Sequence, residues 1–328
     1  MRKIILLAAL VAVSLSAQVT QLDLKSSATP ALKPWQFSGT LGATFSWTAT
    51  QNFVGTSSRN TAVYPSLQGN MELKYKDGDH EWRNNLALSL GYSYYPLPYA
   101  WLKTSDNLKI SSIYLYHQLP WFGYFAMLNM KTSMLPGKDI ESGENNYLIT
   151  DVLTGQKTTV NNVTSLDLSS AFAPMFLEQW LGLFAQFVDK PEVFFEYRLG
   201  AAFRENLGEG QRAISCNGAC DPNYIDVQQL ANVYEIGPGS GILFKTNFFD
   251  KKLSYRVDFD VVYALMQTPQ IKPPGSWSRF SFDLSSTLGC NLLSWLSLNW
   301  TLRALQNPAV IDQVQFLSNL SLAANFTL

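Results

Sequence analysis

Charge is scarce in this 328-residue sequence: 24 Lys and Arg with 25 Asp and Glu make up 15% of it, where a soluble domain carries about 25%. Groups for metal binding and proton transfer are scarcer, with two histidines and three cysteines, which starves most metal centres and acid-base schemes. Long apolar runs are missing as well. The longest, Ile4 to Val13, falls short of the about 20 residues a spanning helix needs, which excludes a bundle of membrane helices. A basic excess is absent too: the net charge of −1 and pI near 6.1 leave no electrostatic footprint for nucleic acid. What the chain does hold is 47% apolar and 13% aromatic residues at a mean hydropathy of −0.02. A disordered chain does not have that composition.

The first residues read as an address. Arg2-Lys3, the apolar run and the stretch Ser14-Leu15-Ser16-Ala17 predict a secretory signal peptide over residues 1–17, cut after Ala17 or one bond earlier. No cysteine follows the run to take a lipid. A short polar lead, 18–34, comes next and is too short to plug a wide barrel. Export implies an oxidising compartment, so Cys216 and Cys220 are candidates for a small disulfide loop, while Cys290 has no obvious partner.

From Trp35 onward the period is two. Trp35, Phe37, Leu41, Phe45 and Trp47 alternate with Gln36, Ser38, Thr40, Thr44 and Ser46, which is a strand with one apolar face. The pattern returns through Leu67 to Tyr75, Trp82 to Tyr94, Leu253 to Leu265 and Val314 to Phe326. Soluble sandwiches alternate in the same way, so two further features decide. Strands of about 12 to 16 residues exceed the globular mode and suit tilted membrane spans. Connections also alternate in length: tight links at 77–81, 118–120, 189–192, 250–252 and 291–293 interleave with longer loops at 51–62, 96–104, 136–165, 207–232 and 267–276. Short turns on one side and long loops on the other predict an all-β fold, a transmembrane antiparallel β-barrel of about 12 strands over residues 35–328, in the outer membrane of a Gram-negative bacterium. Aromatics fall in two groups. Trp35, Tyr75, Trp82, Trp121, Phe248, Phe249, Trp295 and Phe326 lie near tight turns or the last strand's end. Trp47, Tyr92, Tyr94, Trp101, Tyr263 and Trp277 lie near long loops, as interfacial girdles require.

Several stretches also carry a family resemblance. Trp35-x-x-x-Gly39-x-x-Gly42-x-x-Phe45, the hairpin from Tyr75 through Asp77-Gly78-Asp79 to Asn84, Lys103 to Leu108, Leu128 to Thr132, and Gly239-Ser240 followed by Lys245 are similar to those of a porin-like bacterial outer-membrane β-barrel family of unknown function. The chain departs from that family's pattern at Trp47 and Phe53.

With the apolar face toward lipid, the inward positions include Glu72, Lys74, Arg83, Glu196, Arg198, Arg204, Lys245, Arg256, Asp258, Asp260, Arg279, Asp283 and Arg303. All of these but Arg204 and Lys245 are taken as the pore-lining candidates. Both signs occur in similar numbers, so the charges either orient a small polar solute in a narrow pore or pair and fill the interior. Pairing is the expected state of any one of them. The cluster of Arg256, Asp258, Asp260, Arg279 and Asp283 is the expected constriction or network. No catalytic residue is assigned: His80 and His117 both fall close to tight turns, without a nucleophile in sequence reach. Gly237-Pro238-Gly239-Ser240-Gly241 leads into strand-like sequence, not the helix a phosphate loop needs. Its glycines are expected to relieve crowding or bend a strand. The oxygen donors Asp139, Glu141, Glu144, Asn145, Asn146 and Asp151 are read as a solvated acidic loop, with a loosely held Ca²⁺ as the sharper alternative. No cofactor is implied. The expected partners are outer-membrane lipid, the barrel-assembly machinery and small polar solutes. The functional expectation is a passive diffusion channel, with a surface-exposed binding or adhesion protein anchored by the barrel as the alternative.

Overall fold

The computed structural model describes residues 34–51, 61–95, 100–214, 223–250, 252–271 and 279–327. The expected signal peptide, nearly all of the lead, Cys216, Cys220 and Trp277 lie outside the described residues. In chain order the strands are β1 Trp35–Gln51, β2 Thr61–Asp77, β3 His80–Tyr95, β4 Ala100–Leu119, β5 Phe122–Thr132, β6 Gly137–Asp151, β7 Lys157–Ser169, β8 Met175–Asp189 and β9 Val193–Leu207. They continue as β10 Arg212–Ile214, β11 Ile225–Gln229, β12 Val233–Phe248, β13 Leu253–Tyr263, β14 Met266–Thr268, β15 Phe280–Asn291, β16 Leu296–Asn307 and β17 Ile311–Thr327.

Twelve of these close into one antiparallel barrel in the order β1-β2-β3-β4-β5-β8-β9-β12-β13-β15-β16-β17, with β17 pairing back to β1. The thirteenth, β14, extends the wall by pairing its three residues with the start of β12. Closure gives every strand a neighbour on both sides, the condition for a sheet to cross a bilayer. The alternation then sorts side chains by face. Along β1, Phe37, Leu41, Phe45 and Trp47 are exposed on the outside, whereas Thr44, Ser46 and Thr48 are buried inside. Leu67, Leu128, Leu181, Leu199, Leu288 and Leu320 continue the exposed apolar exterior around the wall. A water-soluble monomer does not present an apolar surface of that extent. It is the lipid face of a membrane barrel.

The tight links sit at one rim. Gly78 takes a positive φ of 55° in the two-residue turn between β2 and β3, a conformation glycine adopts without a Cβ clash. Trp35, Trp82, Trp121, Phe248, Phe249, Trp295 and Phe326 are exposed near this rim, and Trp35 packs on Tyr75 with ring centroids 4.8 Å apart. At the far rim Trp47 is exposed and Tyr92 partly so.

One expectation is overturned. The stretches 136–165 and 207–232, read from sequence as long loops, contain four strands that form a separate sheet at the far rim, ordered β10-β11-β6-β7. β6 and β7 are an antiparallel hairpin and β11 joins β6 in parallel. Its core is Tyr147, Ile149, Leu166, Leu168 and Val227, flanked by Val160, Val163, Ile214 and Ile225. Full burial of each such side chain contributes about 1.5–3 kcal/mol, which is how a loop becomes a small layer of its own.

Candidate functional site in the barrel lumen

The inward faces of the twelve strands differ around the ring. Small polar side chains line β16, β17, β1 and β2: Asn299, Thr301, Asn319, Ser321, Thr44, Ser46, Ser66 and Asn70 are all buried. On the opposite side of the strand order, β4, β5 and β8 point large apolar groups inward. Ile113, Leu115, Phe125, Met127, Trp180 and Phe184 form one buried cluster with Ala202 and Val262. The register places Phe184 level with Gly123 of β5, and Leu115 with Phe125, close to the tight-turn rim. The lumen is packed at that end. Above the packed level lies a cavity of about 390 Å³, within the range of small-molecule pockets. Toward the far rim, Leu230 and Ala213 of the β9–β12 connection pack against Val310 of the β16–β17 connection and Ile311 at the start of β17, so chain from one wall reaches across to another.

Charges cross the lumen in two chains. The first starts at buried Glu81 of β3, which takes Lys74 Nζ at 2.9 Å, Arg83 Nε at 2.7 Å and His117 Nε2 at 3.2 Å. Arg83 then reaches from β3 to Glu196 of β9, with Nη1 donating to Oε2 at 3.0 Å, and Gln186 Nε2 donates to the same oxygen. Arg198, two residues on, lies 3.6 Å from Asp258 and 3.5 Å from Asp260 on β13. Arg256 closes the chain by donating to Asp258 at 2.9 Å. The second chain joins β5 to β15 and β16. Lys131 Nζ donates to Asp283 Oδ2 at 2.7 Å, and Arg303 grips both oxygens of the same carboxylate, at 2.7 and 2.5 Å. Bidentate, charge-assisted geometry of this kind is among the stronger hydrogen bonds a protein makes.

Glycine makes the first chain sterically feasible. Arg198 and Asp260 stand on strands separated by β12, and a Cβ at Gly241 would fall 2.3 Å from Asp260 Oδ1 and 3.4 Å from Arg198 Nε. Two residues earlier, a Cβ at Gly239 would strike the Trp180 ring at 2.6 Å. The run from Gly237 to Gly241 is therefore strand backbone over which side chains from neighbouring strands lie.

Nine of the eleven pore-lining candidates border the cavity: Glu72, Arg83, Glu196, Arg198, Arg256, Asp258, Asp260, Asp283 and Arg303. Two do not. Lys74 is turned to Glu81 near the tight-turn rim, and Arg279 precedes β15 at the far rim, buried, with Nη1 donating to Leu265 O at 2.9 Å. Arg204 and Lys245 also border the cavity. The sequence reading missed Lys103, Asp106, Lys109 and Lys131, which border it too. Lys109 lies between Leu108 and Ile110, so its alternation was there to be read. Lys103 donates to Asp106, and Asp106 accepts from Met134 N and Leu135 N, each at 2.8 Å, tying the β5–β6 connection to the wall.

The histidines divide. His80 is exposed in its turn, with Nδ1 2.6 Å from the Tyr114 hydroxyl. His117, also close to a tight turn in sequence, is instead buried and stacked edge-on against Phe184 at 5.0 Å. In the acidic stretch, Asp139 is buried and accepts from Tyr147 Oη at 3.0 Å. Burial and this carboxylate push the Tyr147 hydroxyl pKa up. Asp151 caps its own turn through Thr154 and Leu153, and the Thr154 amide bond first among these contacts holds its carboxyl low. Among the described residues no three His, Cys, Asp or Glu side chains come together to hold a metal ion.

A family described as Protein of unknown function (DUF3078) matches residues 45–137. That span includes the Tyr75–Asn84 hairpin, Lys103 to Leu108 and Leu128 to Thr132, and leaves out Gly239-Ser240 and Lys245. No curated protein matches the chain. Similar solved structures include an outer membrane channel from Pseudomonas putida F1, with 12% identity over 92% of this chain and 100% of that one and a TM-score of 0.41. The TodX monoaromatic hydrocarbon channel deltaS2 mutant has 10% identity over 90% of each chain and a TM-score of 0.37. The NanC porin has 5% identity over 88% of this chain and 98% of that one, also at 0.37.

Proposed function

We propose that this protein is a non-enzymatic outer-membrane channel that passes small polar or charged solutes through a narrow, charge-lined lumen. The observation that carries the reading is the cavity of about 390 Å³ held inside a lipid-facing barrel and bordered by ionised side chains from opposed walls. Burying so many charges in a membrane protein is costly unless they pair or serve a path for polar solutes. Here most are paired, and two of the pairs, Arg83 with Glu196 and Lys131 with Asp283, join distant walls, which narrows the path without making it apolar. A wide general porin does not fit that geometry; a selective conduit does. His80 meets the Tyr114 hydroxyl in an exposed turn outside the cavity and His117 the Glu81 carboxylate, and neither lies on the cavity lining, which supports a role without catalysis.

Planar-bilayer recording of the refolded protein, with liposome swelling in sugars, amino acids and carboxylates, tests the reading. Stepwise currents of small amplitude and uptake confined to small polar solutes are expected. Silence in both assays overturns the channel and leaves the sheet formed by β6, β7, β10 and β11 as the working part of a surface-binding protein.

A further inference from the structure

The cavity is bordered by nine cationic side chains and seven carboxylates; Arg204 and Arg83 are also answered by Glu235 and Glu81 from outside that lining, so the cations that stand alone are found elsewhere. Two like-charge pairs stand directly opposite each other on neighbouring strands with both members facing the cavity: Lys109 with Lys131 on β4 and β5, and Lys245 with Arg256 on β12 and β13. Facing cations in a ladder are destabilising unless something neutralises them. For one member of each pair the protein supplies the counter-charge, Asp283 for Lys131 and Asp258 for Arg256. For the other it does not. Among the described residues Lys109 has no ion-pair or hydrogen-bond partner, and Lys245 has only the Phe194 ring at 5.6 Å from its Nζ. Glu72 borders the same cavity and is not within ion-pair distance of Lys245. Of the other carboxylates, Glu196 is held by Arg83, Asp258 by Arg256, Asp260 by Arg198 and Asp283 by Arg303, while Glu178 accepts from Trp180 Nε1 and is not within ion-pair distance of either lysine.

We propose that Lys109 and Lys245 form an anion-binding step in the lumen, which takes small organic carboxylates or phosphate and makes the barrel selective for anions. The inference rests on the channel reading and names its solute class. An ammonium facing a cavity inside a membrane barrel gains a charge-assisted bond from any carboxylate or phosphate oxygen that enters. The paired residues around it resist reorganisation, because each arginine already holds its own acid. A cation entering beside Lys109 or Lys245 meets an uncompensated ammonium and is repelled there.

The test uses the refolded full chain in detergent, titrated calorimetrically with succinate, inorganic phosphate and glucose, and the same preparation in planar bilayers under a KCl gradient. Heat of binding is expected with succinate, phosphate or both, and none with glucose; the stronger of the two identifies the preferred anion. Lys109→Gln and Lys245→Gln are each expected to weaken anion binding about tenfold, the loss of one charge-assisted hydrogen bond. Lys109→Arg and Lys245→Arg retain binding, and Glu72→Gln strengthens it. Anion-selective reversal potentials are expected to fall toward nonselective in the double Gln variant. Absence of binding heat, or affinities unchanged in correctly folded Gln variants, overturns the anion site. Currents without anion preference sink this inference and leave the channel standing. Binding heat without any current sinks the channel and leaves the site.

Discussion

Arg83 is the residue on which the lumen turns. Its guanidinium bonds Glu81 on its own strand and Glu196 on the far side of the barrel, and its carbon sits 5.5 Å from the Phe194 ring centroid. Arg83→Ala leaves two buried carboxylates short of a partner, although Lys74 still serves Glu81 and Arg198 stays 3.7 Å from Glu196. A loss of about 3 kcal/mol is expected, the low end of the cost of breaking a buried pair. Chemical denaturation in detergent, followed by the heat-modifiable shift on gels, reads it. The double change Arg83→Met with Glu196→Met is expected to cost less than Arg83→Ala alone, since apolar replacement of a whole buried pair is often neutral. A double variant weaker than the single would show that the pair is worth more than its desolvation. Gly239 answers at the same scale. Gly239→Val places carbon where the Trp180 ring lies, and overpacking of about 1–3 kcal/mol, together with altered tryptophan fluorescence, is the expected outcome.

At the scale of elements, legibility follows from what each strand buries. β1, β2, β3, β13 and β17 face lipid on one side and small polar or charged groups on the other, so their alternation was plain in the sequence. β4, β5 and β8 carry Ile113, Leu115, Phe125, Met127, Trp180 and Phe184 inward against an apolar exterior. Apolar on both faces, they blur the period, and the packing of the lumen could not be read from them. The far-rim sheet stayed hidden for another reason. Its strands are short or bulged, its hairpin slips register around Asn145, and one of its pairings, β11 to β6, joins residues about 80 apart in the chain. Its apolar cluster predicts that it melts as its own unit. Ile149→Ala is expected to cost it about 2–5 kcal/mol by emptying a buried site. Limited proteolysis should then cut within 137–169 while the barrel stays resistant. Barrel and sheet failing together would show one cooperative unit. The Tyr147 hydroxyl, neutral in the folded sheet and pushed up by burial, adds a pH dependence. A group whose folded pKa is raised contributes stability that is complete below its unfolded value near 10 and is lost as pH rises beyond it. The same proteolytic site should therefore open earlier in strong base for wild type than for Tyr147→Phe.

For the whole molecule, the decisive feature is the asymmetry of the lumen along its axis. Candidate pore residues were legible because charge parity marks the inward face, and nine of eleven border the cavity. Whether the barrel is open was not legible, because that depends on how far side chains from opposed strands reach, and strand order alone does not set it. Arg83 and Glu196 meet, as do Lys131 and Asp283, so the interior is bridged at the level of the cavity. Below it Leu115, Phe125 and Phe184 close the tight-turn end. If solutes cross the barrel, this packed floor is the main resistance, and it should yield to truncation while the ion chains above stay whole. Phe184→Ala with Phe125→Ala is expected to raise unitary conductance over wild type, at a cost of about 3–5 kcal/mol in stability per phenylalanine removed. Truncating exposed Leu181 and Leu183 on the same strand, which face lipid, should leave conductance where it was. Equal conductance in the floor variant and wild type would place the resistance elsewhere, and the far rim, where Leu230 meets Val310, becomes the next position to cut.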